Sequence, residues 1–297
     1  MHIPDNYLSP STCAVMGIIM LPIWIKASKK VKKEVSKKKI PILGVCSAFS
    51  FLIMMFNVPI PGGTTAHAVG GTLAAILLGP YAATICITIA LLIQALFFGD
   101  GGILAFGANT FNMAFIMPFV GYTLYNMIRS RLKGRKGEYI AAFIGAYVGI
   151  VAAAFAASIE FGIQPLLFKD SNGAAIYCPY GLKVAIPAMV LTHLLIGLIE
   201  GGITAAVLAY VRNVSPGIIY EDKRTNKKPL YGLLLILIVL CPIGLLAAGS
   251  AWGEWDGEEI KNLVGYIPKA FQHGFKYNAA ASDYSVAGMN DVVGYII

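Results

Sequence analysis

The sequence predicts an all-α membrane protein: a bundle of seven spans plus one C-terminal span, with the N-terminus extracytoplasmic. Hydrophobic residues make up 57% of the 297 residues and charged residues only 13%, against roughly 45–50% and 25% in soluble domains. The mean hydropathy is +0.71. Apolar stretches of about 20 residues, long enough to cross a bilayer, recur between short basic loops.

The basic residues set the predicted orientation. Most of the 23 Lys and Arg residues lie in three loops, at 26–39, 129–136 and 212–228. Lys and Arg close to membrane spans resist translocation, so we expect these loops on the cytoplasmic side of the cell (inner) membrane. This placement explains the net charge of +8, and we expect a lipid bilayer and no nucleic acid as the partner of that charge.

The spans follow from this alternation of apolar stretches and basic loops. The stretch 68–98 is too long for one crossing and contains the turn dipeptide Gly79-Pro80, so it is divided there. On the sixth span, small residues recur every fourth position from Gly145 to Ala157, which predicts close helix packing within the chain or, alternatively, against another subunit. The predicted spans are 10–25, 41–57, a short crossing at 68–79, 80–98, 104–128, 138–160, 183–211 and 230–250.

Several classes of enzyme are disfavoured by missing motifs. The sequence has no GxxxxGK[ST] phosphate-binding loop, so the chain carries no nucleotide motor of its own. It has neither HExxH nor GxSxG, which argues against a metalloprotease or a lipase-type hydrolase. The five cysteines have no CxxC spacing and are predicted to be small core residues. We therefore expect neither an enzyme nor a bound cofactor.

The first two residues offer three nitrogen donors in succession. The α-amine of Met1, the deprotonated backbone amide of His2 and the His2 imidazole Nδ1 can close a five-membered and a six-membered chelate ring. Such a planar nitrogen set suits Ni(II) or Cu(II) better than tetrahedral Zn(II). The start of the chain lacks a basic region and an A-x-A-like cleavage site, so we expect Met1 to be retained. The alternative is that His2 is an ordinary exposed terminal residue.

A second histidine is predicted on the same side of the membrane. His67 follows the loop 59–66, which is rich in Pro and Gly, and its imidazole can fill the fourth position of the planar site. Pro4 and the turn pair Asp5-Asn6 favour an N-terminal segment that folds back. Its predicted walls include Asp100 in a glycine-rich loop, and Asn109 and Asn112, which share a helical face. These three residues are candidates to orient the imidazoles, or simply to bond to neighbouring helices.

His193 and Glu200 lie seven residues apart, on one face of the seventh span. We expect them to have a structural hydrogen-bonding role, because an unpaired carboxylate in hydrocarbon is costly. His193 is also a possible supporting residue of the metal site. Two other hypotheses are open at this point: an intramembrane enzyme with His193 and Glu200 as acid and base, and a metal-sensing or structural membrane protein without transport.

The opening MHIPDNYLSP, the GGTTAH loop that ends at His67 and the segment GANTFNM at 107–113 resemble the cobalt/nickel M-type component, the CbiM/NikM family of energy-coupling factor transporters. The resemblance covers residues 1–215. It implies a seven-span substrate-capture subunit that holds Ni(II) or Co(II) through Met1, His2 and His67. It also implies a transmembrane coupling subunit and two cytoplasmic ATPase subunits as partners. Square-planar nitrogen donors slightly favour nickel.

The resemblance also divides the chain into 1–215, a cytoplasmic linker at 216–229, and an accessory-like span with an extracytoplasmic tail at 230–297. The tail resembles a fused N-type accessory component, which usually has two spans. Here the apolar run at 291–297 is short, so the second span is expected to be incomplete. Asn6 stands where the family usually has Gly. Because Asn tolerates positive φ, we expect the turn to survive.

Overall fold

The structure, a computed structural model, describes residues 1–35, 40–61, 64–220, 228–240, 242 and 250–284. It is mostly helical, with one small antiparallel hairpin in which β1 (Val58–Ile60) pairs with β2 (Thr64–Ala66). The helices of the described chain are α1 (Pro10–Glu34), α2 (Ile40–Met54), α3 (Gly71–Leu78), α4 (Pro80–Ile93), α5 (Phe106–Thr110), α6 (Met117–Arg131), α7 (Gly134–Leu167), α8 (Leu182–Val214), α9 (Lys228–Leu240), α10 (Gly257–Val264) and α11 (Lys269–His273).

Four helical stretches in the described residues are long and apolar enough to cross a membrane: Pro10–Glu34, Pro80–Phe98, Gly134–Leu167 and Leu182–Val214. They correspond to the first, fourth, sixth and seventh predicted spans. The protein is therefore a multi-pass membrane protein. The count of seven plus one spans and the outward N-terminus stay predictions.

The predicted break at Gly79-Pro80 is confirmed. Gly79 adopts φ +88° between α3 and α4, and a Cβ at this position would lie 2.8 Å from the ring of Tyr220. All eight residues of α3 are buried. An eight-residue helix rises only about 12 Å, less than half of the hydrocarbon thickness, so α3 is an inner helix of the bundle, and the short crossing predicted at 68–79 needs the chain beside it as well.

Other boundaries differ because polar residues extend the helices beyond their apolar stretches. α1 extends to Glu34, which forms an ion pair with Lys30 one turn earlier in the helix.

The predicted fifth span is divided into α5, a π-helical segment (Phe111–Ile116) and α6. α9 ends at Leu240; most of 241–249 and the apolar run at 291–297 lie outside the described residues, as do Lys37–Lys39 and Cys241.

The small-residue stripe packs inside the chain. A Cβ on Gly145 would lie 2.6 Å from the carbonyl oxygen of Gly121 in α6, and a Cβ on Gly149 would lie 2.8 Å from that of Met117. α6 and α7 therefore approach with their backbones in contact, which excludes the alternative of a partner subunit at this face of α7. Near the start of α7, the buried Glu138 accepts hydrogen bonds from Tyr125 and Arg212.

Candidate metal centre

Residues 1–9, which we call the plug, fold back into the bundle. Met1, His2 and Ile3 are all buried. The reversal occurs at Asn6, whose φ of 73° confirms the expected positive-φ turn. The plug ends where the Ser9 hydroxyl caps α1 by accepting a hydrogen bond from the Thr12 amide.

Asn109 of α5 holds the plug through its backbone. The Ile3 amide donates to Asn109 Oδ1 at 2.8 Å, and Asn109 Nδ2 donates to the Ile3 carbonyl at 3.0 Å. The Gly102 amide donates to the same carbonyl at 2.8 Å. A side chain on Gly102 is excluded because its Cβ would lie 2.5 Å from the Asp5 amide. Asn109 therefore fixes the residue that follows His2.

His2 and His67 lie side by side, although 65 positions separate them. Their ring centroids are 5.0 Å apart and both side chains are buried. His67 Nδ1 contacts the Ala68 carbonyl oxygen at 3.1 Å; a carbonyl only accepts, so this nitrogen carries the hydrogen. Neither Nε2 has a hydrogen-bond partner among the described residues. Two buried nitrogens thus stand near each other with unused bonding capacity.

Asp100 holds the His2 ring. Its Oδ1 lies 2.7 Å from His2 Nδ1, and its Oδ2 accepts a hydrogen bond of 2.7 Å from the Tyr284 hydroxyl. Burial would raise the pKa of Asp100, but the charge of His2 and its hydrogen bond, helped by His67 and Tyr284, hold that pKa below its usual value. Burial, the Met1 amine and His2 lower the pKa of His67 well below 6.5, so His67 is neutral and can act as a ligand.

The Met1 amine contacts a residue from the far end of the chain. It donates to Glu254 Oε1 at 3.2 Å. Two of the three predicted chelate nitrogens, the amine and His2 Nδ1, are therefore in contact with carboxylates. The described residues contain no group of three or more His, Cys, Asp or Glu side chains arranged to hold a metal, so a metal centre here needs main-chain nitrogen donors.

Residues 250–284, which we call the tail, cover the plug. The Tyr7 hydroxyl donates to the Trp255 carbonyl at 2.8 Å, and Asn6 exchanges hydrogen bonds with the backbone of Phe275. A cavity of about 270 Å³ remains between the tail and the site; it is lined by Pro4, Asn57, His67, Gly99, Asp100, Gly101, Glu254 and Tyr284.

The sequence argument did not place Glu254 or Tyr284 at this site. One signal was present: two of the three tryptophans of the chain, Trp252 and Trp255, flank Glu254. An aromatic cluster of this kind is unusual in a segment expected to be an exposed tail, and it indicated packing.

Asn112, His193 and Glu200 form hydrogen bonds with groups other than the two imidazoles. Asn112 Nδ2 donates to Glu160 at 2.8 Å, so Asn112 faces α7 and not the plug. His193 Nδ1 lies 2.7 Å from the Met189 carbonyl oxygen within its own helix. Glu200 accepts hydrogen bonds from the amides of Val69 and Gly70. His193 and Glu200 each have other partners and form no acid–base pair in the described chain.

The described cysteines, Cys13, Cys46, Cys86 and Cys178, are free and buried, as expected for core residues. His273 is exposed at the end of α11.

Comparisons with known proteins place this chain among metal transport proteins. A family model described as the cobalt uptake substrate-specific transmembrane region matches residues 2–218. A protein of Lactiplantibacillus plantarum described as a probable fused nickel transport protein, LarMN, is 50% identical over 100% of this chain and 92% of its own length. The fused nickel transport protein NikMN of Rhodobacter capsulatus is 48% identical over 89% of this chain and 78% of its own length.

The chain in a crystal structure of a truncated transition metal transporter is 58% identical in sequence to this chain. The match includes 72% of this chain and 99% of the crystallised chain, with a TM-score of 0.68. These relatives are described as transport proteins or transporters. The chain therefore belongs to the CbiM/NikM family of metal transport components, with an N-type accessory tail fused to its C-terminal end.

Proposed function

We propose that the chain is the substrate-capture component of an ATP-driven energy-coupling factor importer for Ni(II) or Co(II), with nickel slightly favoured. The observation that carries the proposal is the burial of the Met1 amine and His2 beside His67, whose ring centroid lies 5.0 Å from that of His2. The predicted donors are the Met1 amine, the His2 amide nitrogen, the His2 imidazole Nδ1 and His67. A four-nitrogen plane of this kind suits Ni(II).

Capture of the ion exchanges carboxylate contacts for metal bonds. The Met1 amine leaves Glu254, and His2 Nδ1 leaves Asp100. The freed carboxylates remain beside the bound cation, where their negative charge favours it. His67 needs no proton loss because it is neutral. The amine and the amide must lose protons, so binding releases protons to solvent.

The chain has no phosphate-binding loop of its own, which supports a requirement for partner ATPases. The partners proposed are a transmembrane coupling subunit and two cytoplasmic ATPase subunits. The chain would lie in the cell's inner membrane with seven spans plus one and with the plug facing outward. The three basic loops support that orientation. The metal would enter from outside and be released inward when the ATPases drive a rearrangement.

The test is the substitution His2→Gln. This change removes the imidazole nitrogen from the chelate, keeps a bulky second residue so that Met1 is retained, and leaves every span unaltered. Equilibrium binding of Ni(II) and Co(II) to the purified full-length protein is measured, together with the absorption spectrum that reports planar coordination. We expect loss of high-affinity binding and of the planar spectrum. His273→Ala, which removes an exposed histidine, is the matched control and should bind as the wild type does.

Unchanged affinity in H2Q would refute the proposed site. Metal uptake by cells that also produce the three partner subunits separates a transporter from a sensor, because a sensor would bind the ion without accumulating it.

A further inference from the structure

The chain segment directly after His67 is held by a carboxylate from a distant helix. The Val69 amide donates to Glu200 Oε2 at 2.8 Å, and the Gly70 amide lies 3.0 Å from Oε1 and 3.1 Å from Oε2. Glu200 is 1% exposed and lies in α8, 131 positions away from Val69. Both carboxylate oxygens are therefore engaged by the backbone of the His67 loop.

The backbone at this point has little freedom to move. Gly70 is the N-cap of α3, with φ +77°, and Glu200 accepts hydrogen bonds from the amides of Gly70 and of Val69 before it, as a carboxylate accepts the N-cap amide in a capping box. The Val69 carbonyl accepts a hydrogen bond of 2.7 Å from the Ser50 hydroxyl. A Cβ on Gly70 would lie 3.0 Å from the ring of Phe49. Both the amide and the carbonyl of Val69 are therefore held by hydrogen bonds.

His67 is two residues from this anchor, and two extended residues span at most about 7 Å. The position of its imidazole opposite His2 is thus tied to α8 through Glu200. A carboxylate buried in α8 carries a desolvation cost, and what it adds is a link between that helix and the predicted metal donor.

We propose that Glu200 is a positioning residue of the metal centre, which holds His67 in register with Met1 and His2 and makes retention of the ion depend on the position of α8. This inference rests on the proposed function, because it takes His67 as a donor to the ion. Glu200 itself stays outside the coordination sphere and acts only through the backbone of Val69 and Gly70.

The experiment compares Glu200→Gln with Glu138→Gln in the purified full-length protein. Both variants neutralise a buried carboxylate, but Glu138 pairs with Arg212 and Tyr125, away from the His67 loop. Each protein is loaded with Ni(II); its absorption spectrum is recorded, and the ion is then removed with excess chelator to give the dissociation rate. Thermal melts of the metal-free proteins measure general destabilisation.

We expect E200Q to release Ni(II) at least tenfold faster than the wild type and to shift the absorption band toward that of His67→Ala. E138Q should lower the melting temperature and leave the band in place. Should E200Q fail to fold, Glu200→Asp keeps the charge and shortens its reach by one methylene, and it should show the same shift.

Three results would overturn the inference. A wild-type spectrum and release rate in E200Q, with H67A impaired, would reject Glu200 and leave the proposed function standing. Equal spectral shifts in E200Q and E138Q would reduce the effect to general destabilisation. Wild-type binding in H67A would reject both the inference and His67 as a donor.

Discussion

Substitution of Asn109 by alanine should loosen the plug by an amount that its hydrogen bonds define. N109A removes two buried hydrogen bonds to Ile3. The Ile3 carbonyl keeps its bond from Gly102, whereas the Ile3 amide has no second acceptor among the bonds described. The lost carbonyl bond is worth about 1 kcal/mol, and the unpaired amide costs about 1–3 kcal/mol. The free energy needed to open the plug should therefore fall by about 2–4 kcal/mol.

Hydrogen exchange measures this change directly. At about 1.4 kcal/mol for each factor of ten, exchange through local opening should accelerate roughly 30- to 700-fold for the backbone amides of the plug. Mass spectrometry of metal-free protein gives the rates. Asn112→Ala is the control, because Asn112 lies one turn away and bonds to Glu160 in α7. Plug exchange within threefold of the wild type in N109A, or an equal acceleration in N112A, would refute the reasoning.

Three further predictions concern pH and packing. Burial, the Met1 amine and His2 lower the pKa of His67, so between about pH 7 and about pH 5 the unfolded chain binds a proton at His67 that the folded chain does not. The melting temperature should therefore fall as the pH drops through this range. His67→Gln should remove part of that fall, and the same pH profile in the variant as in the wild type would contradict the assignment. Nickel affinity should rise about tenfold per pH unit for each proton released on binding, measured by titration across that range; an affinity independent of pH would exclude the amine and amide as donors. Gly145→Ala should destabilise the protein by about 1–3 kcal/mol, because its Cβ would lie 2.6 Å from the Gly121 carbonyl oxygen. The control is Gly44→Ala, whose Cβ would have nothing within 4 Å and which should melt as the wild type does.

Local features of the sequence predicted the backbone well. Gly79-Pro80 marked a real break because only glycine adopts φ +88° readily, and proline favours the first turn of a helix. Asn6 kept a positive φ without glycine because its short polar side chain tolerates that region. The small-residue stripe marked a close helix contact, since a Cβ at Gly145 or Gly149 would collide with α6.

Partners far apart in sequence were harder to predict. Asn109 and Asn112 share a helical face, yet only Asn109 reaches the plug; a π-helical segment begins at Phe111 and changes the direction in which later side chains point. Glu200 was recognised as needing a hydrogen-bond partner, but nothing in the local sequence indicated the amides of Val69 and Gly70. The contact between Met1 and Glu254 joins the two ends of the fold, and hydropathy carries no information about it.

The tail that closes over the plug has a consequence for assembly. A cover carried on the same polypeptide acts at a high effective concentration, about millimolar for short flexible connections, so weak individual contacts such as the one between the Met1 amine and Glu254 suffice to keep it in place. The ratio of cover to binding site is also fixed at one to one, whatever the expression level. A cover of this kind can open and close repeatedly without being lost by dilution.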